Sequence, residues 1–341
     1  MTRLVIASQL DDDFNQVIRE RLAVTHPEAR IIGVPVGVPS DLPGEVSILL
    51  ARPINVRGYE APASPPPGWP YGLKWIQVVS SGIDFYPGWL LNGPPVSTSR
   101  GSAAENIAEF SLAAIFAAAK HLPDIWVHDS QWNFTALTPL KGTTLGILGF
   151  GAIGRSLASK AQALGINVIA LRQSSAQFEV DGVEAARDIH DLCARADHLV
   201  LAAPLTPATR HIVNAEVLNS AKPGLHLINI ARGGLLDHEA LLNALDNGNI
   251  GLASLDVTEP EPLPDGHPLY SHPRVRLSPH TSAISSTSRN EIADSFLANL
   301  ERFLNGQALQ NQADRLTQIT PITLRGNTTP DTQRHPQIPS V

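Results

Sequence analysis

The first hundred residues contain four short apolar runs, and a stretch with apolar positions at helical spacing lies between the first two. Strands are predicted over four runs with β-branched residues, at positions 4–8, 31–36, 46–50 and 75–80. Apolar side chains at helical spacing predict a helix over 13–23. The Pro-rich stretch 62–70 is a predicted surface loop, because proline cannot donate to the ladder of a central strand.

A second, longer series of strands and helices follows an alanine-rich helix predicted over 103–120. Its predicted strands are again short and apolar, at 144–148, 167–171, 198–202, 225–230, 251–255 and 275–278. Helices fall between most of them, and a last helix is predicted over 290–303. Strands that alternate with helices form a parallel, doubly wound sheet, so the predicted fold class is α/β. A chain of 341 residues is long enough for two domains.

Composition narrows the function classes. Lys and Arg number 25 against 32 Asp and Glu, and no Lys/Arg-rich run occurs, which argues against nucleic-acid and anionic-membrane partners. The single cysteine, Cys193, excludes an intramolecular disulfide framework. No apolar run spans a bilayer and the N-terminus lacks a signal-peptide pattern, so a cytoplasmic location is expected. The twelve histidines show no HExxH or zinc-like spacing, so no metal is predicted.

A glycine turn follows the predicted strand at 144–148. Its first glycine would make the tight turn and its second would let the backbone approach a pyrophosphate. Its third would let the following helix, predicted over 155–164, pack on the strand. The N-terminus of that helix offers free N–H groups and a positive dipole end to phosphates. The pattern predicts a dinucleotide site whose cofactor-binding residues are Gly149, Gly151, Ala152, Ile153 and Gly154.

The end of the next strand distinguishes NAD from NADP. NAD-binding chains usually place Asp or Glu there, about 20 residues after the turn, to accept from the ribose hydroxyls. Here the strand runs into Arg172, with Ser174 close behind, and the first carboxylate is Glu179. A guanidinium pairs with a 2′-phosphate and nearby hydroxyls donate to it, which favours NADP(H). NAD(H) is the alternative, with Arg172 stacking on adenine while either cofactor is accepted.

Charged residues follow three other predicted strands of the second series. Arg232, the pair Glu259 and Glu261, and His280 each come after a different strand. Ligand sites in doubly wound sheets lie outside the carboxyl ends of the strands. These residues and the glycine turn therefore point to one crevice.

Together these segments resemble the D-isomer-specific 2-hydroxyacid dehydrogenases, over about residues 1–312. The resemblance also rests on VSSGID at 79–84, RGSAAE at 100–105 and PLTP at 204–207. It implies two Rossmann-like domains: a discontinuous, flavodoxin-like substrate domain and a cofactor domain with a doubly wound parallel sheet. The predicted substrate domain is 1–100 plus 285–312 and the dinucleotide-binding domain is 101–284, followed by a loosely ordered tail at 313–341.

The resemblance implies a catalytic set. His280 would be the acid/base that protonates the carbonyl oxygen as hydride reaches C2, since imidazole titrates near physiological pH. Glu261 would hydrogen-bond His280, orient the ring and favour its protonated form. Glu259 is the competing carboxylate, but the family places its glutamate directly before Pro-Leu, as at Glu261. Arg232 would bind the substrate carboxylate and polarise the carbonyl.

Further contacts are implied by the same resemblance. The backbone N–H groups of Ser81 and Gly82 would bind the substrate carboxylate, and no Cβ at 82 blocks its approach. Arg52 looks like an active-site loop arginine that could bind a distal polar group of the substrate. Asp256 would accept from the nicotinamide amide. The remaining predicted cofactor contacts are Pro204, Thr206 and Ala231.

The implied reaction is hydride transfer between NAD(P)H and a small 2-oxo acid, giving a D-2-hydroxy acid, with glyoxylate or hydroxypyruvate as the leading substrate. A homodimer is expected from the family. Trp132 falls where relatives carry a dimer-contacting arm, and core packing is its alternative.

Two other interpretations stay open. A cofactor-sensing, corepressor-like binding protein could share this fold and keep the same three residues. Formate and phosphite dehydrogenases also share the fold, but formate enzymes typically carry Gln in place of Glu261, and phosphite enzymes carry Lys in place of Ser81.

Overall fold

A computed structural model describes residues 4–55, 60–132, 134–173 and 177–313. The predictions for Ser174 and for the tail beyond residue 313 lie outside the described residues. Two parallel sheets follow one another along the described chain. No helix within the described ranges is both long and apolar enough to cross a membrane.

The first sheet has the strand order β2-β1-β3-β4-β5, with every pair parallel. Its strands are β1 Val5–Ser8, β2 Arg30–Gly33, β3 Ile48–Ala51, β4 Trp75–Val78 and β5 Val96–Thr98. Helices α1 Asp12–Thr25 and α2 Gly88–Leu91 belong to the same part of the chain. Four of these strands, all except β2, are buried along their whole length on both faces, as expected for a parallel sheet covered by helices. The order is the flavodoxin-like one.

Helix α3, Ala104–Ala119, leads into the second sheet. The strands of this sheet are β6 Thr144–Leu148, β7 Asn167–Leu171, β8 Glu184–Ala185, β9 His198–Leu201, β10 Leu225–Asn229, β11 Ile250–Leu255 and β12 Val275–Leu277. The helices between them are α4 Ala152–Ala163, α5 Ile189–Arg195, α6 Ala215–Asn219 and α7 His238–Asp246. The order β12-β11-β10-β9-β6-β7-β8 reverses direction between β6 and β9, which is the switch point of a dinucleotide-binding sheet. The predicted α/β class with two Rossmann-like sheets is confirmed.

The last described helix, α8 Ser288–Leu304, returns to the first sheet. Its fully buried Phe296 stacks on the fully buried Trp75 of β4, with ring centroids 5.4 Å apart. Beyond the helix, the carbonyl of Asn311 accepts a hydrogen bond from the N–H of Thr98 on β5. Residues near both ends of the described chain therefore build one hydrophobic core.

Several predicted bounds were wrong for local reasons. The predicted strand at 75–80 ends at Val78, because Ser80 Oγ donates to the carbonyl of Gly82 and the chain turns. The predicted strand at 31–36 covers Arg30–Gly33, ahead of Pro35. Helix α4 begins at Ala152 rather than at 155, directly on the glycine turn.

Candidate active site

The glycine turn fits a dinucleotide pyrophosphate. Gly149 has a positive φ of +95°, and a Cβ there would lie 2.6 Å from the backbone nitrogen of Ala203. A Cβ on Gly154 would lie 2.7 Å from the carbonyl oxygen of Gly149, so the helix can approach the strand only with glycine here. Gly151 is the N-cap of α4, and no described side chain caps the helix. The N–H groups of its first turn are thus left for a ligand.

Arg172 lies at the end of β7, as predicted, but its guanidinium turns onto the following loop. Nη1 is 2.9 Å from Glu179 Oε2, and Nη2 donates to the carbonyl of Gln177 at 2.6 Å. The guanidinium also lies 4.8 Å from the ring centre of Phe178. A 2′-phosphate would therefore have to compete with the Glu179 carboxylate for this arginine.

His280 and Glu261 lie in contact. Nδ1 of His280 is 2.7 Å from Oε1 of Glu261, and both side chains are partly exposed. Glu259, the competing carboxylate, forms two hydrogen bonds with Arg210, at 2.7 and 2.9 Å. Because Arg210 binds both oxygens of Glu259, Glu261 is the carboxylate that faces the imidazole.

The turn that carries His280 is held by Asp256. The buried Asp256 carboxylate accepts from Ser278 Oγ at 2.5 Å and from the N–H groups of Thr281 and Ser282 at 2.9 and 3.0 Å. Burial by itself would raise the pKa of Asp256, but these hydrogen bonds outweigh it and the net shift is downward. The carbonyl of Asp256 also accepts from the N–H of His280, which has a left-handed backbone (φ +51°). Asp256 therefore fixes where the imidazole points, and its predicted contact with nicotinamide stays a prediction.

Arg232 reaches from the second sheet to the first. Its Nε and Nη2 donate to the two oxygens of Asp84 at 2.9 and 3.0 Å, and Nη1 donates to the carbonyl of Ala231 at 2.7 Å. A Cβ on Gly82 would lie 1.9 Å from Nη2, so the guanidinium lies directly against that glycine. The buried Asn229 fixes this loop by donating to the carbonyl of Arg232 at 2.9 Å.

The ring of Phe85 lies between the predicted catalytic groups. Its centre is 5.1 Å from the guanidinium carbon of Arg232 and 6.4 Å from the centre of the His280 ring. The structure thus brings Arg232, Glu261 and His280 together at the loop that contains Gly82. No role was predicted for Asp84 or Phe85, although a carboxylate two residues after Gly82 was a usable signal.

The other predicted residues make local contacts. Ser81 Oγ is 3.5 Å from the carbonyl of Ser99. Arg52 is exposed. Burial raises the pKa of Tyr86, and the positive charge of Arg52 opposes part of that rise. Thr206 and Pro204 belong to a turn after β9, in which Thr209 Oγ1 accepts from the N–H of Thr206 and donates to the carbonyl of Pro204, both at 2.7 Å. Within the described residues, no group of three His, Cys, Asp or Glu side chains is placed to hold a metal.

Comparison with known proteins points to one family. The family model described as "D-isomer specific 2-hydroxyacid dehydrogenase, NAD binding domain" matches residues 112–282. Glyoxylate/hydroxypyruvate reductase A of Serratia proteamaculans is 33% identical, over 66% of this chain and 76% of the relative. Glycerate dehydrogenase of Methylorubrum extorquens is also 33% identical, over 69% of this chain and 77% of the relative.

A solved structure gives the same result. The D-isomer specific 2-hydroxyacid dehydrogenase of Xanthobacter autotrophicus Py2, in complex with NADPH and MES, is 26% identical with a TM-score of 0.75. The match covers 92% of this chain and 98% of that one. This chain belongs to the D-isomer specific 2-hydroxyacid dehydrogenase family. It is an NAD(P)-dependent oxidoreductase that acts on 2-hydroxy and 2-oxo acids.

Gly82→Ala tests the contact between Arg232 and the first sheet. The new Cβ would lie 1.9 Å from Arg232 Nη2 and 2.7 Å from Asp84 Oδ1, so the guanidinium must move. We expect kcat/KM for the oxo acid to fall by at least about tenfold, as for a lost charge-assisted hydrogen bond. The melting temperature should change little, because the displaced atoms end a flexible side chain. Gly33→Ala is the control, since a Cβ there meets nothing within 4 Å. Unchanged kinetics in Gly82→Ala would contradict the assignment.

Proposed function

We propose that this chain reduces a small 2-oxo acid to its D-2-hydroxy acid in the crevice where its two sheets meet. The observation that carries the proposal is the meeting of a guanidinium, an imidazole and its carboxylate partner around Phe85, beside a glycine turn that fits a dinucleotide. The bound nicotinamide cofactor would supply the hydride.

The geometry supports a distinct role for each side chain. Because Nδ1 of His280 faces Glu261, Nε2 is the nitrogen left to donate a proton to the carbonyl oxygen. Glu261 orients the ring and balances the charge of its protonated form. Arg232 binds the substrate carboxylate, with the N–H groups of Ser81 and Gly82 beside it. Asp84 holds the guanidinium in place by two hydrogen bonds.

The domain boundaries belong to the same proposal. We assign 1–100 plus 285–312 to the substrate domain and 101–284 to the dinucleotide-binding domain. Packing of α8 on Trp75 of the first sheet supports the discontinuity, and the family model lies entirely within the second range. Closure of the crevice between the domains would exclude water from the reacting atoms.

The substrate is proposed to be glyoxylate or hydroxypyruvate. Two relatives carry the names glyoxylate/hydroxypyruvate reductase A and glycerate dehydrogenase, and both substrates are small 2-oxo acids. Arg52, exposed after β3, is proposed to bind a polar group at the far end of the substrate. NADPH is proposed as the preferred cofactor, with NADH second, on the strength of Arg172 at the end of β7 and of the relative bound to NADPH.

We also propose a homodimer, and the expected cytoplasmic location stays a prediction. The segment after α3 exposes large apolar side chains, namely Trp126 at 64%, Val127 at 54%, Trp132 at 69% and Phe134 at 96%. Trp132 is therefore not packed in a core, and apolar exposure on this scale marks an interaction surface.

Light scattering should give twice the chain mass of 36.5 kDa. Phe134→Ser should weaken the dimer, and a monomeric wild type would contradict it.

A kinetic screen tests the proposed reaction. Purified protein, mixed with NADPH or NADH and a panel of 2-oxo acids, should consume cofactor fastest with glyoxylate or hydroxypyruvate. His280→Ala should lower kcat by about 10²- to 10⁴-fold, the usual contribution of general acid catalysis, while cofactor affinity is retained. His26→Ala, on an imidazole that contacts Glu301 instead, is the control. Turnover by His280→Ala at the wild-type rate would refute the assigned role.

Arg172→Ala tests the cofactor preference. Loss of a charge-assisted contact with the 2′-phosphate should lower kcat/KM for NADPH by about tenfold or more, with little effect on NADH. Glu179→Gln should shift the preference the opposite way, because it removes the charge that competes for Arg172. Arg187→Ala is the matched control, because this arginine follows β8 of the same sheet and its side chain is largely exposed. A constant NADPH/NADH ratio in both Arg172→Ala and Glu179→Gln would rule out a role for Arg172.

A further inference from the structure

The segment that joins the two sheets carries an arginine over the glycine turn. Nη2 of Arg100 is 3.6 Å from the position that a Cβ on Gly151 would take, and no other described atom lies within 4 Å of it outside the adjoining residues. The next residue, Gly101, has φ +98°, and its Cβ would lie 3.8 Å from the Cβ of Ala152. The linker thus lies on the N-terminus of α4.

The backbone of Arg100 is anchored while its side chain is exposed. Its N–H donates to Thr98 Oγ1 at 3.3 Å, and its carbonyl accepts from Asn311 Nδ2 at 3.0 Å. Across the part of the chain that the structure describes, no carboxylate lies within 4 Å of the Arg100 guanidinium. The charge is therefore held near Gly151 without a protein counter-ion there.

The first three residues of the helix beside Arg100 carry no charge, and Arg155, whose charge acts on Glu179, follows them. These residues are Ala152, Ile153 and Gly154, so the first three positions of α4 offer a pyrophosphate only backbone N–H groups. A pyrophosphate is an anion, and a guanidinium binds phosphate oxygens through its planar fork of donors. The space above Gly151, which the absent Cβ leaves open, is the space that such an anion would enter.

We propose that Arg100 binds the cofactor pyrophosphate beside the α4 N-terminus. The inference rests on the proposed function, because it uses the same dinucleotide site, and it adds a contact from outside the glycine turn. Cofactor binding would then also tie the linker between the two sheets to the second sheet.

Binding of ADP and adenosine to Arg100→Gln separates this contact from other roles. ADP carries the pyrophosphate and adenosine does not, so calorimetric titration of both ligands isolates the phosphate contribution. We expect ADP to bind about tenfold more weakly than to the wild type, and adenosine to bind equally well. Arg100→Lys, which keeps the charge but not the fork, should recover part of the loss. Arg289→Gln, on an exposed arginine of α8 near Asp11 and Asp13, is the control.

Each outcome bears on a different statement. Equal ADP affinity in the wild type and Arg100→Gln would overturn the role of Arg100 and leave the dinucleotide site intact. Equal losses for ADP and adenosine would show a structural effect of Arg100 and would also overturn the inference. A wild type that binds neither ADP nor NADPH would overturn the inference together with the proposed function.

Discussion

The contact between Arg232 and the loop that contains Gly82 constrains the whole site. The guanidinium follows a strand of the second sheet, whereas Gly82, Asp84 and Phe85 belong to the first, so the crevice is complete only where the sheets meet. A single Cβ at position 82 would occupy the place of Nη2. Since Phe85 contacts Arg232 and faces His280, the same loop sets the distance between the group that would bind the carboxylate and the group that would donate the proton.

The role of each carboxylate near the crevice depends on the groups that donate hydrogen bonds to it. Asp256 is buried and its oxygens accept three hydrogen bonds, so it shapes the turn that carries the imidazole. Hydrogen bonds from Arg210, above all, hold the pKa of Glu259 below its usual range and keep this residue away from the imidazole. Glu261 faces His280 instead. Two glutamates two residues apart thus differ because of an arginine that lies 49 residues from one of them in the sequence.

The sequence predicted most reliably those elements that local physics determines. Strands β6 and β7 were predicted to the residue, because buried parallel strands are continuous apolar runs next to a glycine turn. Strands β5 and β8 were missed, since runs of three and two residues carry no periodicity. That His280 and the two glutamates would lie in one crevice followed from strand ends sharing one edge, whereas the choice of Glu261 as the partner of His280 came from the family resemblance. The pairing of Arg232 with Asp84 depends on how two sheets dock, which no local pattern encodes, and the family resemblance supplied no partner for Arg232.

The phosphate chemistry of the crevice comes mostly from outside the glycine turn. The turn supplies backbone donors and open space, and its helix begins with the uncharged Ala152, Ile153 and Gly154, so positive charge near the phosphates comes from the linker, from Arg155 and from the end of β7. At the end of β7, Arg172 already has an anionic partner in Glu179. Preference for NADPH then depends on the difference in free energy between two ion pairs of Arg172, one with the 2′-phosphate and one with Glu179. The 2′-phosphate adds affinity only as far as its own pair is the stronger of the two. NADH, which carries no 2′-phosphate, leaves that internal pair intact, so this loop need not reject it strongly.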